Sequence, residues 1–297
     1  MQIEEYNFIL TDRITKIKSI DNQYNLEKNS YLSFSGGLDS TVLHHLLDKA
    51  LPNNRIPRVF MNTGIEYVKL VEFVKGIKDD RIEIRTPKKS IRNTLEEVGY
   101  PFKSKQHSLN LSVYQNSGMT KTNINYLGKG TKETFLCPNC LKYQFSEDFK
   151  IKVSDRCCFE FKKKPFKDYQ EETNRNITLT AMRKEEGGYR NNLNCVITDK
   201  ERNLIKFHPL AVVGEDFIKA FIEFEQIEIC ELYKAPFNFK RTGCKGCPFA
   251  LDLQKQLDVM ADLLPSEKKA CEVIWKPIYD EYRRIGYRLK QKTLFED

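Results

Sequence analysis

From residue 31 to residue 99 the chain alternates between two hydrophobic periods. YLSFS (31–35), PRVFMN (57–62) and RIEIRT (81–86) are short, strand-length runs. STVLHHLLDKAL (40–51), VKLVEFVKGI (68–77) and SIRNTLEEVG (90–99) instead repeat their apolar positions at three- and four-residue spacing. Val42, Leu43, Leu46 and Leu47 share one face of the first of these helices. Strands separated by helices at this spacing build right-handed βαβ units, so the pattern predicts an α/β fold on a doubly wound, mostly parallel sheet.

Outside that stretch the rhythm changes. Residues 1–28 read as a polar, helix-biased lead-in with Leu10, Ile14, Ile17 and Ile20 near helical spacing. Residues 100–156 are read as polar loops around CPNC. A helix is expected over 157–172, strands in NITLTAMR (176–183) and LIKFHPLA (204–211), and helices from about residue 247 onward. Near the end, Ile278, Tyr282, Ile285 and Leu289 form an apolar stripe that predicts a helix docked on the core, with Arg283, Arg284 and Arg288 off the stripe. The expected organisation is a lead-in over 1–28, a domain over 29–250 with a cysteine-bearing insertion, and a helical C-terminal segment over 251–297. There is no internal repeat and no low-complexity segment.

Composition narrows the class. With 297 residues and 40% hydrophobic content the chain can bury a real core. No apolar run is long enough to span a bilayer, and MQIEEYNFIL lacks the basic-then-apolar order of a secretory signal, so the expectation is a cytoplasmic protein. Nine cysteines are an odd number, and cytosolic thiols stay reduced, which favours metal ligation over disulfides for those that cluster. The formal charge of +8 favours an anionic partner, either nucleotide or nucleic acid.

SFSGGLDST (33–41) runs from the end of the first strand into the first helix, where a parallel sheet binds its ligands. Gly36 and Gly37 permit a tight turn that leaves amide groups pointing into the loop, the helix N-terminus adds its dipole, and Ser35 and Ser40 add hydroxyls. Asp39 would repel a phosphate, and is expected either to cap the helix or to hold Mg²⁺. A plain βα turn with glycines and a cap is the alternative.

Ser-Gly-Gly-x-Asp-Ser in this place resembles the PP-loop of ATP pyrophosphatases, in the adenine nucleotide α-hydrolase group. Three further segments resemble the phosphoadenosine phosphosulfate (PAPS) reductase family in its order. They are FMNTGIEY (60–67), TLTAMRKEEGGYR (178–190), which matches at Arg183, Glu186 and Arg190 but has Ala181 where the family has glycine, and KFHPLAVVGEDFIKAFI (206–222), which lacks the family's tryptophan. The resemblance implies that Ser33, Ser35, Gly36, Gly37, Asp39 and Ser40 hold pyrophosphate and Mg²⁺, with Asn62 and Glu66 meeting adenosine or metal. It also implies that Arg183 and Arg190 stabilise charge at the α-phosphate, with Glu186 orienting one of them; for each arginine a surface salt bridge is the alternative. PFKSKQHS (101–108), with Lys103, Lys105 and His107, is a candidate substrate loop, or a solvated basic one.

RCCFEF supplies Cys157 and Cys158, and GCKGCPF supplies Cys244 and Cys247. A vicinal pair, a long gap and a Cys-x-x-Cys resemble the signature of iron–sulfur adenylylsulfate reductases, which implies a [4Fe-4S] cluster on these four thiolates. Lys162, Lys163, Lys164 and Arg241 are expected to favour the thiolate forms. Zinc, better served by two Cys-x-x-Cys knuckles, and free buried thiols are the competing readings. Cys137 and Cys140 of CPNC are left for a local structural or labile-metal role, and Cys195, Cys230 and Cys271 for the core.

Two departures set the expected chemistry. Reductases of this family carry a nucleophilic cysteine near the C-terminus, whereas this chain ends KQKTLFED, and their loop generally lacks the full Ser-Gly-Gly-x-Asp-Ser that is intact here. The expectation is an ATP-dependent enzyme that adenylylates an oxygen of its substrate so that sulfur can displace it. Relatives with PP-loop and cluster, tRNA thiolases and the ATP pyrophosphatase of DNA phosphorothioation, imply a tRNA or DNA substrate, a sulfur-donor protein and a homo-oligomer or larger complex. The alternatives are a PAPS or adenylylsulfate reductase using an external thiol, and a non-catalytic, cluster-bearing nucleic-acid-binding subunit that senses nucleotide.

Overall fold

A computed structural model describes residues 1–131 and 135–291. The chain divides into two compact units, each assembled from separated stretches: residues 1–62, 68–86 and 165–242 form the first, and residues 63–67, 87–164 and 243–297 the second.

The first unit is built on a six-stranded sheet: β1 (Ser30–Phe34), β2 (Arg58–Met61), β3 (Ile82–Arg85), β4 (Ile177–Leu179), β5 (Val196–Thr198) and β6 (Leu204–Phe207), in the spatial order β3-β2-β1-β4-β6-β5. Every pairing is parallel except that of β5 with β6. All four residues of β2 are buried, as expected of a parallel strand covered on both faces, Arg58 with its guanidinium paired to Asp48 at 2.7 Å. One face carries Leu32, Phe34, Phe60, Leu179 and Phe207 against the helices Ile3–Tyr24, Leu38–Ala50 and Glu215–Phe224, whose Ile17, Leu43, Leu47 and Phe221 are fully buried. On the other face Tyr31 and Val59 pack against Tyr169 and Phe166 of the helix Lys164–Thr173. The alternation along β1 that sends Tyr31 one way and Leu32 the other is the two-residue period of a strand.

Strand order decides where a ligand site can form. The chain lays down β1, β2 and β3 in one direction and then returns to place β4 on the other side of β1, with Leu32 opposite Leu179. The two chains leaving the carboxyl ends of β1 and β4 therefore diverge from neighbouring points, a topological switch.

The second unit is mostly helical. Ile91–Val98, Lys105–Ser117 and Lys121–Tyr126 precede a short 3₁₀ helix, Asn139–Gln144, and Leu253–Leu263, Pro265–Ile274 and Lys276–Arg284 follow in the C-terminal stretch. Phe102, Leu111, Leu141, Met260, Trp275, Ile278, Tyr279 and Tyr282 are buried in it.

Two sequence expectations need correction here. Residues 100–156 are not merely polar loops: Ser104 caps the helix Lys105–Ser117, accepting from His107 N at 3.2 Å, and Thr120 caps Lys121–Tyr126. Hydrophobic periodicity misses these helices because their buried positions include His107, Ser108, Asn110 and Asn123. PFKSKQHS is consequently a cap and first helical turn rather than a loop. His107 is fully buried, its Nδ1 bonded to Tyr126 Oη at 2.9 Å and its Nε2 to Gln144 Oε1 at 2.7 Å, so it faces no substrate.

Candidate functional site

At the carboxyl end of β1 the segment Ser35–Ser40 closes on itself. Ser35 and Ser40 Oγ lie 2.9 Å apart, Gly37 N donates to Ser35 Oγ at 3.3 Å, and Ser40 Oγ donates to Gly37 O at 3.0 Å. Gly36 has φ +69°, and a Cβ there would stand 2.7 Å from Val74 Cγ2 and 3.0 Å from Leu70 Cδ1. Only glycine lets the backbone turn this way against the helix Val68–Gly76. The helix Leu38–Ala50 then starts with Gly37 at its cap position, a residue with no side chain to cap the first turn. Asp39 is therefore not the cap, one of its two expected roles. It lies in the first turn, where it pairs with an arginine.

That arginine is Arg183, just beyond β4. Its Nε donates to Asp39 Oδ1 at 3.0 Å and its Nη1 to Glu185 Oε2 at 2.7 Å, and it is only 8% exposed. Burial pushes the Asp39 carboxyl up, against the downward pull of the Arg183 guanidinium, while Glu186 pushes it further up. Glu186 accepts from the backbone N–H of Arg183 at 3.3 Å, ion-pairs with Arg190, and pairs with Arg241 Nη2 at 2.8 Å. Tyr233 Oη bonds to Thr242 Oγ1, and a Cβ on Gly37 would stand 3.1 Å from that phenol oxygen. Burial raises Tyr233 to about 12, so it stays a neutral hydroxyl.

The motif residues Asp39, Arg183, Glu186 and Arg190 thus form one linked set with the glycine loop. Ser33 is a residue of β1, paired with Val59, rather than of the loop. Asn62 directly follows β2, and its N–H donates to Arg85 O at 2.8 Å. Glu66, 8% exposed in the second unit, accepts from Thr63 N at 2.8 Å and from Thr63 Oγ1 at 2.9 Å. Glu185, Tyr233 and Arg241 were missed as partners of this set. Glu185 is indistinguishable from Glu186 by spacing, and Arg241, three residues before Cys244, reads from the sequence as a neighbour of the thiols.

The cysteine site lies in the second unit. Cys157 and Cys158 open a turn that runs as π-helix over Phe159–Lys163, and Cys157 donates to Cys158, so that Cys158 ionises first, with Lys105 and Lys162 adding to the effect. Burial raises Cys244, against the pull of Lys162, and holds Cys247 up at about 12. Of the cations expected to favour thiolates, Lys162 acts on three of these sulfurs, Lys164 pairs with Glu160, and Arg241 pairs with Glu186.

The loop from Cys244 to Pro248 is held by the C-terminal helices. Trp275 Nε1 donates to Lys245 O at 3.1 Å, Tyr279 Oη to Gly246 O, and Tyr282 Oη to Pro248 O at 2.9 Å. Beneath it, Lys245 Nζ meets Glu267 Oε2 at 3.1 Å, both groups buried. Gly246 has φ +59°, and a Cβ there would run into Tyr279 Oη and stand 2.8 Å from Cys271 Sγ. Four thiols from two loops, one loop pinned at three carbonyls, fit a thiolate-held cluster. Trp275, Tyr279 and Tyr282 at i, i+4 and i+7 were the signal for this support; of the three, the sequence reading used only Tyr282, as part of a docking stripe.

Lys103 and Lys105, grouped by sequence, act on different thiols. Lys103 N donates to Tyr282 Oη at 2.7 Å, and burial pushes its ammonium down while Cys137 and Cys140 push it up. Cys137 is buried and raised to about 11, and Cys140 is exposed. Cys230 and Cys271 are buried as expected, and Cys195 is half-buried.

A family model, the phosphoadenosine phosphosulfate reductase domain, matches residues 29–123 and 104–250. The chain belongs to this family. Among solved structures, the Candida auris PAPS reductase in its phosphate complex aligns at 15% identity and TM-score 0.48, covering 82% of this chain and 96% of that one. The Candida glabrata FMN adenylyltransferase aligns at 14% and 0.46, over 79% of this chain and 61% of that one. The U34-tRNA thiolase NcsA from Methanococcus maripaludis with its [4Fe-4S] cluster aligns at 16% and 0.41, over 99% and 84%. A comparison with curated proteins found no match. As a PAPS reductase-family chain it has no helix among the described residues that is long and apolar enough to cross a membrane.

Proposed function

We propose that this chain is an ATP pyrophosphatase that transfers the adenylyl group of ATP to an oxygen of its substrate, releasing pyrophosphate and preparing that position for displacement by sulfur. The observation that carries the reading is the closed Ser35–Ser40 loop with Asp39 ion-paired to the buried Arg183 at the β1/β4 switch. Amides of Gly36 and Gly37 and the hydroxyls of Ser35 and Ser40 would receive the leaving pyrophosphate. Arg183, already desolvated, supplies a fixed positive charge, and Glu186 holds Arg190 and Arg241 in place. Asp39 is the group that would hold Mg²⁺, which neutralises phosphate charge. Cys157, Cys158, Cys244 and Cys247 would hold a [4Fe-4S] cluster, one thiolate to each iron. The acceptor is a nucleic acid, tRNA or DNA, or a small molecule, and a sulfur-donor protein completes the reaction.

The second reading, favoured by the family match, is reduction of PAPS or adenylylsulfate with an external thiol. The two separate in one assay. Pyrophosphate from ATP and Mg²⁺, lost by at least about 100-fold in Asp39→Asn and Ser35→Ala, supports the adenylyl reading, since one preorganised donor is worth about 3–4 kcal/mol. Sulfite from PAPS with no cleavage of ATP would replace it by the second.

A further inference from the structure

Beside Cys158 lies a groove of about 370 Å³ lined by Lys105, Asp155, Arg156, Cys158, Phe159 and Lys163. Its charge is unbalanced: three cations face one carboxylate. Glu160 takes up Arg156 at 3.0 Å and Lys164 at 3.5 Å, leaving Lys105 and Lys163 without a carboxylate partner among the described residues. In the same groove Phe159 is 43% exposed, with the Arg156 guanidinium 5.8 Å from its ring centroid. Phe159 also begins the π-helical turn, a rare geometry that frequently occurs at functional sites.

A small sulfur anion would use the lysines and leave the ring in water. A folded protein partner would need far more apolar area than one phenylalanine. An aromatic face flanked by unpaired cations matches the way proteins hold single-stranded nucleic acid, stacking a base and neutralising the phosphates beside it. The volume is that of a small-ligand site and suits one nucleotide unit. We infer that this groove binds one nucleotide of a single-stranded segment of nucleic acid, its base on Phe159 and its phosphates on Lys105 and Lys163, and so presents the acceptor to the thiol site. This deepens the sulfur-transfer reading above and rests on it for its purpose, but the binding itself needs no ATP.

The test is fluorescence anisotropy of short labelled single-stranded RNA and DNA oligonucleotides with the full, iron-loaded chain, over a salt series. Phe159→Ala should weaken binding about 5- to 160-fold, the range that stacking of one base contributes, and Phe159→Tyr should retain it. Lys105→Gln with Lys163→Gln should lower the log–log salt slope by about 1.4, for two single-strand phosphate contacts. Lys18→Gln with Lys28→Gln, the same charge change on the lead-in, should leave the slope unchanged. Iron content measured on each variant separates a lost groove from a lost fold. Failure of both oligonucleotides to bind at low salt, or binding that the groove variants do not alter, or equal loss in the Lys18/Lys28 control, overturns the proposal. Groove-dependent binding without pyrophosphate release from ATP would leave the groove standing and remove the ATP reading. Pyrophosphate release with unaltered binding in the groove variants would do the reverse.

Discussion

The two candidate sites are held by different means. In the sheet-bearing unit, the Ser35–Ser40 loop is set by its own backbone and by two serines within it, and its outer partners are reached because β1 and β4 are neighbours. In the helical unit, the Cys-x-x-Cys loop has no strand to position it, and side-chain donors from Trp275, Tyr279 and Tyr282 fix its carbonyls while a buried Lys245–Glu267 pair sits below. A loop on a sheet inherits its geometry from the ladder. A loop between helices must be held group by group, so it has more single points of failure.

The largest effect expected to sharpen this contrast is at Glu267. Glu267→Gln leaves the buried Lys245 ammonium without its countercharge and should cost about 3–5 kcal/mol, read in a denaturant melt, with iron content falling as the loop loosens. Retention of full iron and stability would show that the loop does not depend on this pair.

Gly36→Ala comes next. The added Cβ meets Val74 and Leu70 at a positive φ, for a cost of about 2–4 kcal/mol, and ATP binding by calorimetry should be lost while iron is retained. Equal loss of iron would break the comparison, because the two sites would then fail together.

Acid should probe both units. Burial holds His107 at about 4, with Lys103 and Arg288 adding to the push while the Gln144 bond opposes it, and burial with Lys206 holds His208 at about 4. Both are neutral when folded and take a proton more readily when unfolded, so their stabilisation is complete above pH 6.5 and is lost as pH falls from 6.5 towards 4. Each is worth up to about 3 kcal/mol over that window. His107→Gln should flatten the pH dependence of melting in this range relative to the parent, and an unchanged profile would remove His107 as its source.

The smallest effect is at the cap. Ser104→Ala should cost about 1 kcal/mol, by chemical denaturation, since it removes the acceptor for His107 N at the start of Lys105–Ser117.

Much of the sheet was legible because its strands and helices obey their own periods: Val42, Leu43, Leu46 and Leu47 are all fully buried on the helix they predicted. β5 escaped because Val196–Thr198 is an edge strand with none of its residues buried, so no apolar run marks it, and its antiparallel pairing follows from the turn at Asp199–Asn203. The helices within 100–126 escaped because polar side chains fill their buried face, satisfied by bonds such as His107 to Gln144. In the candidate sites, motif order identified Asp39, Arg183, Glu186 and Arg190, but could not say that Arg183 pairs with Asp39 and Glu185 while Glu186 takes Arg190 and Arg241.

By itself the sequence determined the α/β class, the glycine turn at the end of the first strand and the four thiols in two pairs, because hydrophobic period and backbone freedom are local properties. Tertiary structure alone decided which charges meet. Asp39 and Arg183 are 144 positions apart and are joined only because β4 returns to lie beside β1, and the loop at Cys244 is held by aromatic groups some 30 residues later. Ion pairing and hydrogen bonding act over a few ångströms of space, and the fold, not the spacing along the chain, sets that distance.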